Sequence, residues 1–243
     1  MAEYQEVFKR VEKKYLLNET QYQIISEGLS SYMKPDEYSQ NTICSLYYDT
    51  PDYQLIRTSL EKPVYKEKLR VRSYGIPKDD GQVFVELKKK FNGTVFKRRE
   101  AMTLAEAKAF LAGGQFPEGK NQQILQEISY FMQYYNDLQP RVLLAYERES
   151  LQGTETPDLR LTFDRNIRWR QSALDLGKGD WGSLLLPQGE ILMELKLPGV
   201  MPLWMADLLD KAEAYHTSFS KYGTCYSNHL IHQFDITGGT ICA

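Results

Sequence analysis

The chain has 243 residues, of which 42% are hydrophobic and 26% charged, and its formal net charge is −2. This composition is ordinary for a globular protein, and the near-neutral charge excludes a global attraction to nucleic acid or to anionic membranes. The charge is nevertheless uneven, because residues 61–100 hold 12 basic and six acidic side chains. The positive charge is therefore concentrated in one segment.

The first predicted strand spans residues 7–17 and reads "VFKRVEKKYLL". Side chains alternate between the two faces of a strand, so Arg10, Glu12 and Lys14 share one face. Apolar residues at helical spacing predict a helix over residues 19–33.

The next four predicted strands span residues 42–49, 65–75, 83–90 and 94–102. In "KLRVRSYG" (68–75), three cations alternate with mostly apolar residues. The apolar residues are expected to face a core, and the cations to face either bulk water or a ligand. The later strands of this group repeat the pattern. The charged stripes of the group comprise Lys68, Arg70, Arg72, Glu86, Lys88, Lys90, Lys97 and Arg99.

Further strands and helices complete the chain as one predicted domain over residues 1–243. We see no repeat, low-complexity segment or long linker that would divide it. The remaining predicted strands are 141–153, 159–170 and 189–199, and the remaining predicted helices are 104–114, 121–138, 202–217 and 222–234.

The charged stripes have two interpretations. In a half-exposed antiparallel sheet, one face is polar because it meets water. Alternatively, a sheet that curls with its apolar face outward under helices turns its charged face into a lumen. Cations crowded in a lumen repel one another unless an anion compensates them, and a phosphate chain fits because Arg and Lys bind its oxygens from all sides.

Three isolated glutamates lie two residues before a lysine on the same strand face, namely Glu12, Glu86 and Glu194. A carboxylate beside phosphate is repelled unless a cation bridges the two, and Mg²⁺ or Mn²⁺ takes oxygens from both. The alternative is that each glutamate simply pairs with its neighbouring cation. The two interpretations stay open for Glu12 and Glu86.

An ordered series of motifs resembles the polyphosphate polymerase domain of the vacuolar transporter chaperone (VTC) family, within the triphosphate tunnel metalloenzymes of the CYTH-like superfamily. The motifs run from residue 8 to residue 223: "RVEKKYLL", "YYDT", "KLRVRSYG", "VFVELKKK", "FKRRE", "YERES", "LRLTFDRNI", "ILMELKLPG" and "SFSKYG". The resemblance implies an α+β fold, a closed antiparallel β-barrel with helices packed on the outside. It also implies a lumen that binds a triphosphate together with a divalent ion, often Mn²⁺.

The resemblance implies a set of site residues. Those expected to hold the reacting phosphates are Arg70, Arg72, Lys88 and Lys221. Those that it implies to bind substrate around them are Lys14, Lys97, Tyr146, Arg148 and Ser220. The charged stripes of the strands add Arg10, Arg99 and Lys196 to the expected substrate-binding residues. Glu194 matches the metal-binding carboxylate, with Glu12 and Glu86 as further candidates. The chain departs from the wider superfamily at Arg10, where a glutamate is favoured, and at Ser218, where some members have a basic residue.

The predicted function is transfer of the terminal phosphoryl group of a nucleoside triphosphate, ATP foremost, to a growing polyphosphate chain. The expected partners are the nucleotide, polyphosphate and orthophosphate, with Mn²⁺ or Mg²⁺ as cofactor. The first alternative is a triphosphate hydrolase, and the second is a non-catalytic polyphosphate-binding module. Binding of nucleic acid through Tyr65, Tyr74 and Phe84 is disfavoured by the near-neutral net charge and the apolar flanks of the basic stripes.

The cysteines and the first residues favour a cytoplasmic protein. Cys44, Cys225 and Cys242 lie far apart, and "MAEYQEVFKR" is not a secretory signal. The apolar runs are shorter than a membrane span. Any coupling to membrane transport would require a membrane-protein partner that this sequence does not encode.

Overall fold

A computed structural model describes residues 11–231, with Tyr38 described by its backbone alone. Residues 7–10 of the first predicted strand, including Arg10, lie outside the described residues. The end of the last predicted helix and Cys242 also lie outside them.

Ten strands occur within the described residues: β1 Val11–Leu17, β2 Met33–Asp49, β3 Tyr65–Tyr74, β4 Gln82–Phe91, β5 Thr94–Thr103, β6 Gln139–Gly153, β7 Arg160–Arg170, β8 Ser183–Leu184, β9 Ile191–Leu197 and β10 His216–Thr217. The α-helices of the same part of the chain are α1 Glu19–Leu29, α2 Gln54–Leu60, α3 Leu104–Leu111, α4 Gln122–Tyr135, α5 Leu203–Lys211 and α6 Lys221–Cys225. A 3₁₀ turn at Leu176–Lys178 and a π-helical turn at Tyr226–Leu230 complete them.

The strands hydrogen-bond in the order β10-β1-β9-β7-β6-β2-β3-β4-β5, and β8 pairs with β7. The pairs whose register is defined are antiparallel. The predicted α+β class and antiparallel sheet are therefore confirmed. Closure of the sheet into a barrel stays a prediction.

Contacts divide the chain into two compact units. Within the described residues, the first unit comprises residues 11–41, Tyr146–Ile167 and Leu186–Phe219, and the second comprises Thr42–Ala145, Arg168–Leu185 and residues 220–231. The prediction of one domain stays a prediction.

The core of the first unit lies between the apolar face of its strands and two helices. Alternate residues of β9 (Ile191, Met193 and Leu195) pack with buried residues of α1 and α5. At Gly28 a Cβ atom would lie only 2.5 Å from the side chain of Leu208, so the absence of a side chain lets α1 pack closely at this point.

The core of the second unit lies between strands β3 to β5 and the helices α3 and α4. Leu69, Val71, Val85 and Leu87 are buried there, as their alternation with charged residues predicts. Asn121 and Thr103 cap these helices, each accepting a hydrogen bond from a backbone N–H of the first turn.

The predicted elements are all present in the described residues, but some of their bounds were wrong. The first helix ends at Leu29 rather than residue 33, because β2 already begins at Met33. Helix α2 and the two-residue strands β8 and β10 were not predicted, and the helix predicted over residues 202–217 ends at Lys211. In the part of the chain that the structure describes, no helix is long and apolar enough to cross a bilayer.

Candidate functional site

The cationic stripes of the second unit form rows across three neighbouring strands. Register places Glu86 opposite both Arg70 and Arg99, so the three side chains share one face of β3, β4 and β5. The next row of that face, nearer the β4–β5 turn, consists of Lys68, Lys88 and Lys97. The sequence predicted this shared face, and the structure confirms the alternation that produces it.

Glu86 lies at the centre of these rows and is 1% exposed. One carboxylate oxygen is 2.7 Å from Arg70 Nε, and the other is 2.7 Å from Lys97 Nζ and 2.6 Å from Arg99 Nε. A buried carboxylate of this kind is stable only when cations and hydrogen bonds compensate it. We call Glu86, Arg70, Arg72, Lys97 and Arg99 the Glu86 cluster.

The pKa values of the Glu86 cluster follow from this crowding. Burial alone raises the pKa of Glu86, but Arg70, Arg72 and Lys97 together bring it well below its usual value. Lys97 keeps 41% of its side chain exposed. Desolvation, reinforced by Arg99 and Arg70, lowers the pKa of Lys97 to about 8 although Glu86 opposes the change. The ammonium of Lys97 is therefore the most easily discharged cation of the cluster.

Tyr47 supports the cluster from β2 and was missed by the sequence analysis. Its hydroxyl accepts a hydrogen bond from Arg70 at 3.1 Å, and its ring stacks on that of Tyr222 at 4.7 Å. Burial raises the pKa of Tyr47, but Arg70, Arg72 and Lys68 outweigh burial and lower it to about 8. A phenol with this pKa can titrate beside the cationic face near neutral pH.

A second charged cluster belongs to the first unit and contains Glu194, Glu12, Lys14, Arg148 and Asp164. Glu194 is 8% exposed, and its oxygens lie 3.2 Å from Lys14 Nζ and 3.3 Å from Arg148 Nη2. Arg148 also donates two hydrogen bonds to the buried carboxylate of Asp164, at 2.6 and 2.7 Å. Lys14 lies 3.3 Å from Glu12 as well. We call these residues the Glu194 cluster.

The sheet register brings a buried hydroxyl to the Glu194 cluster. Thr162 of β7 lies directly opposite Glu194 of β9, and Lys14 of β1 lies opposite Glu194 on the other side. Within the described residues, Thr162 Oγ1 is buried without a hydrogen-bond partner. Burial of a hydroxyl without a hydrogen bond costs folding free energy, unless a ligand or a water molecule supplies the missing partner.

No group of three or more His, Cys, Asp or Glu side chains arranged to hold a metal ion occurs within residues 11–231. The carboxylate of Glu194 and the hydroxyl of Thr162 are nonetheless the oxygen donors that a hard divalent cation prefers. Mg²⁺ commonly binds one or two carboxylates and completes its coordination with substrate phosphates. The residues present therefore fit a divalent ion that arrives together with a phosphate substrate.

The other expected site residues lie on several elements of the two units. Lys196 lies opposite Glu12 in the register, and the guanidinium of Arg148 lies 5.2 Å from the centre of the Tyr146 ring. Ser220 caps α6, since its hydroxyl accepts from the N–H of Gly223 at 3.2 Å. Lys221 is the first residue of that helix. Arg72 donates to the hydroxyl of Ser45 at 3.3 Å.

Two buried carboxylates were not assigned from the sequence. Asp164 orients Arg148, and Asp49 accepts from the backbone N–H groups of Leu55 and Ile56 and from the hydroxyl of Tyr222. Both lie within motifs that the sequence analysis quoted, "TFD" and "YYDT". An aspartate within an apolar strand indicates a buried polar contact, because a buried carboxylate requires hydrogen-bond or charged partners.

Solved structures share this fold. A proposed adenylate cyclase of Bacillus halodurans aligns with a TM-score of 0.52 and 17% identity, covering 93% of this chain and 96% of its own. A proposed adenylyl cyclase of Hippeastrum, described as having a dominant triphosphatase activity, aligns with a TM-score of 0.53 and 16% identity, covering 91% and 97% respectively. The chain therefore belongs to the same fold class as these two structures.

Within that class, the family model described as the VTC domain matches residues 9–229. The chain therefore belongs to the VTC domain family. No match was found among curated proteins.

Proposed function

We propose that the protein is a metal-dependent polyphosphate polymerase that uses a nucleoside triphosphate, ATP foremost, as phosphoryl donor. The observation that carries this proposal is the Glu86 cluster, in which four cations surround one buried carboxylate. One carboxylate does not balance the charge of four cations. Phosphate oxygens would supply further negative charge, because they accept charge-assisted hydrogen bonds from Arg and Lys. Membership of the VTC domain family supports the same substrate class.

The proposal includes closure of the sheet into a barrel with helices outside. A closed, low-dielectric interior strengthens each contact between a cation and a phosphate relative to water. It also explains why the cationic side chains of β3 are half-buried rather than solvated.

In the proposed reaction, Arg70, Arg72 and Lys88 hold the donor phosphates, and Lys97 and Arg99 neutralise charge beside them. Phosphoryl transfer requires little covalent chemistry from a protein, so positioning and charge stabilisation supply most of the rate. Glu86 keeps the guanidinium groups oriented before substrate binds, because it already accepts from Arg70 and Arg99. We expect Lys221 to contact the reacting phosphates and Ser220 to bind the substrate beside it.

Glu194 would hold the divalent ion, with Thr162 as a further oxygen donor. When bound, Mn²⁺ or Mg²⁺ would neutralise phosphate charge in the transition state. Asp164 holds Arg148 by two hydrogen bonds, and Arg148 contacts Glu194, so this chain fixes the orientation of the carboxylate. Glu86 already has three cations within 2.7 Å of its oxygens, which favours its role as a counter-ion over metal binding.

Incubation with ATP and Mn²⁺, followed by electrophoresis of the products, tests this function. A ladder of polyphosphate chains together with ADP supports the polymerase. Orthophosphate as the sole phosphate product would establish the hydrolase instead. Binding of tripolyphosphate without turnover would leave the non-catalytic binding module.

Cys44 and Cys225 are free thiols, in accord with the cytoplasmic location that we propose.

A further inference from the structure

The strands β3 to β5 end in a tip whose exposed apolar side chains the proposed function does not use. Asn92 and Gly93 form the β4–β5 turn with φ of 45° and 84°, values that an Asn-Gly turn accommodates. The Asn92 N–H donates to the carbonyl of Val64 at 2.9 Å, which fixes the approach to β3 beside the turn. We define the hairpin tip as residues 62–66 and 88–97.

The hairpin tip exposes an unusual amount of apolar surface. Five large apolar residues there expose between 44% and 66% of their surface: Val64, Tyr65, Phe91, Val95 and Phe96. Tyr65 lies directly opposite Phe91, whereas Val95 lies on the other face opposite Lys90. Apolar side chains therefore project from both faces at one end of the sheet, and such a concentration of exposed apolar surface is typical of an interaction site.

The charge of the hairpin tip is strongly positive. Residues 62–66 and 88–97 contain six lysines and no Asp or Glu. Lys66 lies directly opposite Lys90 in the register, and burial together with the proximity of Lys90, Lys62 and Lys88 lowers the pKa of Lys66. Glu127 of α4 is 3.7 Å from Lys89 and offsets part of this charge.

The carboxylate nearest to the tip along β3 does not face water. Glu67 is buried, and it accepts hydrogen bonds from the hydroxyls of Tyr65 at 2.6 Å and Tyr135 at 2.9 Å. Tyr134 packs on Tyr135 at 5.0 Å and is itself exposed. The end of α4 thus adds an aromatic side chain beside the apolar residues of the tip.

We propose that the hairpin tip docks on the surface of an anionic phospholipid bilayer. Exposed Phe and Val side chains enter the boundary between headgroups and acyl chains, whereas Tyr and Lys suit the headgroup layer. The lysines of the tip that the proposed reaction does not use complement the negative potential of a leaflet that contains acidic lipids, namely Lys62, Lys66, Lys89 and Lys90. The mixture of apolar, aromatic and basic side chains at one end of the sheet matches this surface in both polarity and charge.

A second copy of the chain is a poorer occupant of the tip. A two-fold contact would place the same surface on both sides and bring lysines against lysines. Juxtaposed like charges oppose such an interface.

Flotation of the whole protein with lipid vesicles tests the proposal. We expect the protein to float with vesicles of phosphatidylserine and phosphatidylcholine and to stay behind with phosphatidylcholine alone. Raising the ionic strength from about 0.1 M to about 1 M should weaken binding, because the Debye length falls from about 10 Å to about 3 Å. The double variant Phe91→Ser/Phe96→Ser should bind the anionic vesicles at least about tenfold more weakly.

A matched control removes exposed apolar surface elsewhere. Val200 and Leu203 are more exposed than the tip residues, so Val200→Ser/Leu203→Ser should bind vesicles like the wild type. A separate variant, Phe91→Trp, reports insertion directly through a blue shift of its emission on anionic vesicles. This second readout does not depend on a loss of binding.

Three results would overturn the proposal. The first is an absence of binding to anionic vesicles, and the second is equal binding by the wild type and Phe91→Ser/Phe96→Ser. The third is a dimer in solution, or capture of a single-stranded oligonucleotide, that is lost in the same variant while vesicles are ignored. Polyphosphate synthesis is measured without lipid, so failure of the docking proposal leaves the proposed function separately testable.

Discussion

The Glu86 and Glu194 clusters differ in their balance of charge. The Glu86 cluster sets four cations against one carboxylate, whereas the Glu194 cluster sets Lys14 and Arg148 against three carboxylates. An excess of cations favours an anionic ligand, and an excess of carboxylates favours a cationic one. The same residue types therefore specify opposite ligands through their proportions.

The clusters also differ in how their ion pairs are shared. Arg70, Lys97 and Arg99 all depend on Glu86. In contrast, the cations of the Glu194 cluster have second acidic partners, since Arg148 also binds Asp164 and Lys14 also contacts Glu12. Loss of the central carboxylate should consequently destabilise the first cluster more than the second.

The largest expected effect is on turnover, in Glu194→Gln. Metal-stimulated polyphosphate synthesis should fall by about 10²–10³-fold, because the proposed metal ligand is lost while the cationic wall remains. Calorimetry without metal should show ATP binding close to that of the wild type. Glu12→Gln is the matched control, since Glu12 is exposed, and it should keep most of the activity. An unchanged Mn²⁺ response in Glu194→Gln would remove the assignment.

The next effect is on affinity, in the double variant Arg70→Ala/Arg72→Ala. Each charge-assisted hydrogen bond contributes about 1.5–3 kcal/mol, so the dissociation constant for tripolyphosphate should rise about a hundredfold or more. Arg98→Ala is the control, because its guanidinium contacts Glu127 of α4 rather than the Glu86 cluster. Equal affinity in the two variants would mean that Arg70 and Arg72 do not bind phosphate.

A third effect, on stability, separates the clusters directly. Glu86→Gln leaves three cations without their shared carboxylate and should cost about 2–3 kcal/mol, less than the roughly 3–5 kcal/mol of fully buried pairs because the cations are partly exposed. For a chain of this size, Tm should fall by roughly 4–12 °C. Glu194→Gln should lower Tm by less.

Tripolyphosphate tests whether the loss of negative charge beside the cations causes the lower stability of Glu86→Gln. The ligand should stabilise Glu86→Gln more than the wild type, because it restores the negative charge that Glu86 supplies to Arg70, Lys97 and Arg99. At about 100 times the dissociation constant, the wild type itself should gain about 2.7 kcal/mol. A smaller gain in Glu86→Gln than in the wild type would contradict this account.

The smallest effect is a pH dependence of ATP affinity. Lys97 has a pKa of about 8 in the free protein, and bound phosphate would raise it by favouring the ammonium form. Binding therefore takes up a proton, so affinity should be constant below pH 8 and fall by up to about tenfold per pH unit above it. Titration of Tyr47, whose pKa is also about 8, acts in the same direction because a phenolate repels phosphate.

The variants Lys97→Arg and Tyr47→Phe separate these two groups. Each should remove one of the two contributions to the slope above pH 8, as measured by calorimetry in a pH series. The stability of the ligand-free protein should change with pH in the opposite direction to ATP affinity. The pKa of Lys97 is lower in the folded than in the unfolded protein, so the contribution of this group to stability rises as pH increases through 8. A variant whose affinity profile above pH 8 equals that of the wild type would contradict the assignment of the group that it removes.

The register of the Glu86 cluster was partly predictable from the sequence. A two-residue Asn-Gly turn at residues 92 and 93 places Glu86 opposite Arg99, as observed. The connection between β3 and β4 is longer and has no such rule, so the pairing of Arg70 with Glu86 could not be predicted. Burial of the carboxylate depends on both pairings.

Helix α2 shows why a local pattern can fail. It begins after Tyr53, which has a φ of 59° and provides no side-chain cap. Asp49 supplies the missing cap from the preceding strand by accepting from Leu55 and Ile56. Similarly, the Arg148–Asp164 pair joins two strands, so neither residue alone predicts the contact.

The hydrogen bond between Tyr222 and Asp49 has a consequence for synthesis of the protein on the ribosome. Its two ends are 173 residues apart in the chain. At about 5–20 residues per second, roughly 10–35 s of translation separates the emergence of Asp49 from that of Tyr222. During that interval the carboxylate that caps α2 lacks its tyrosine, so the second unit cannot complete its packing until translation has passed residue 222.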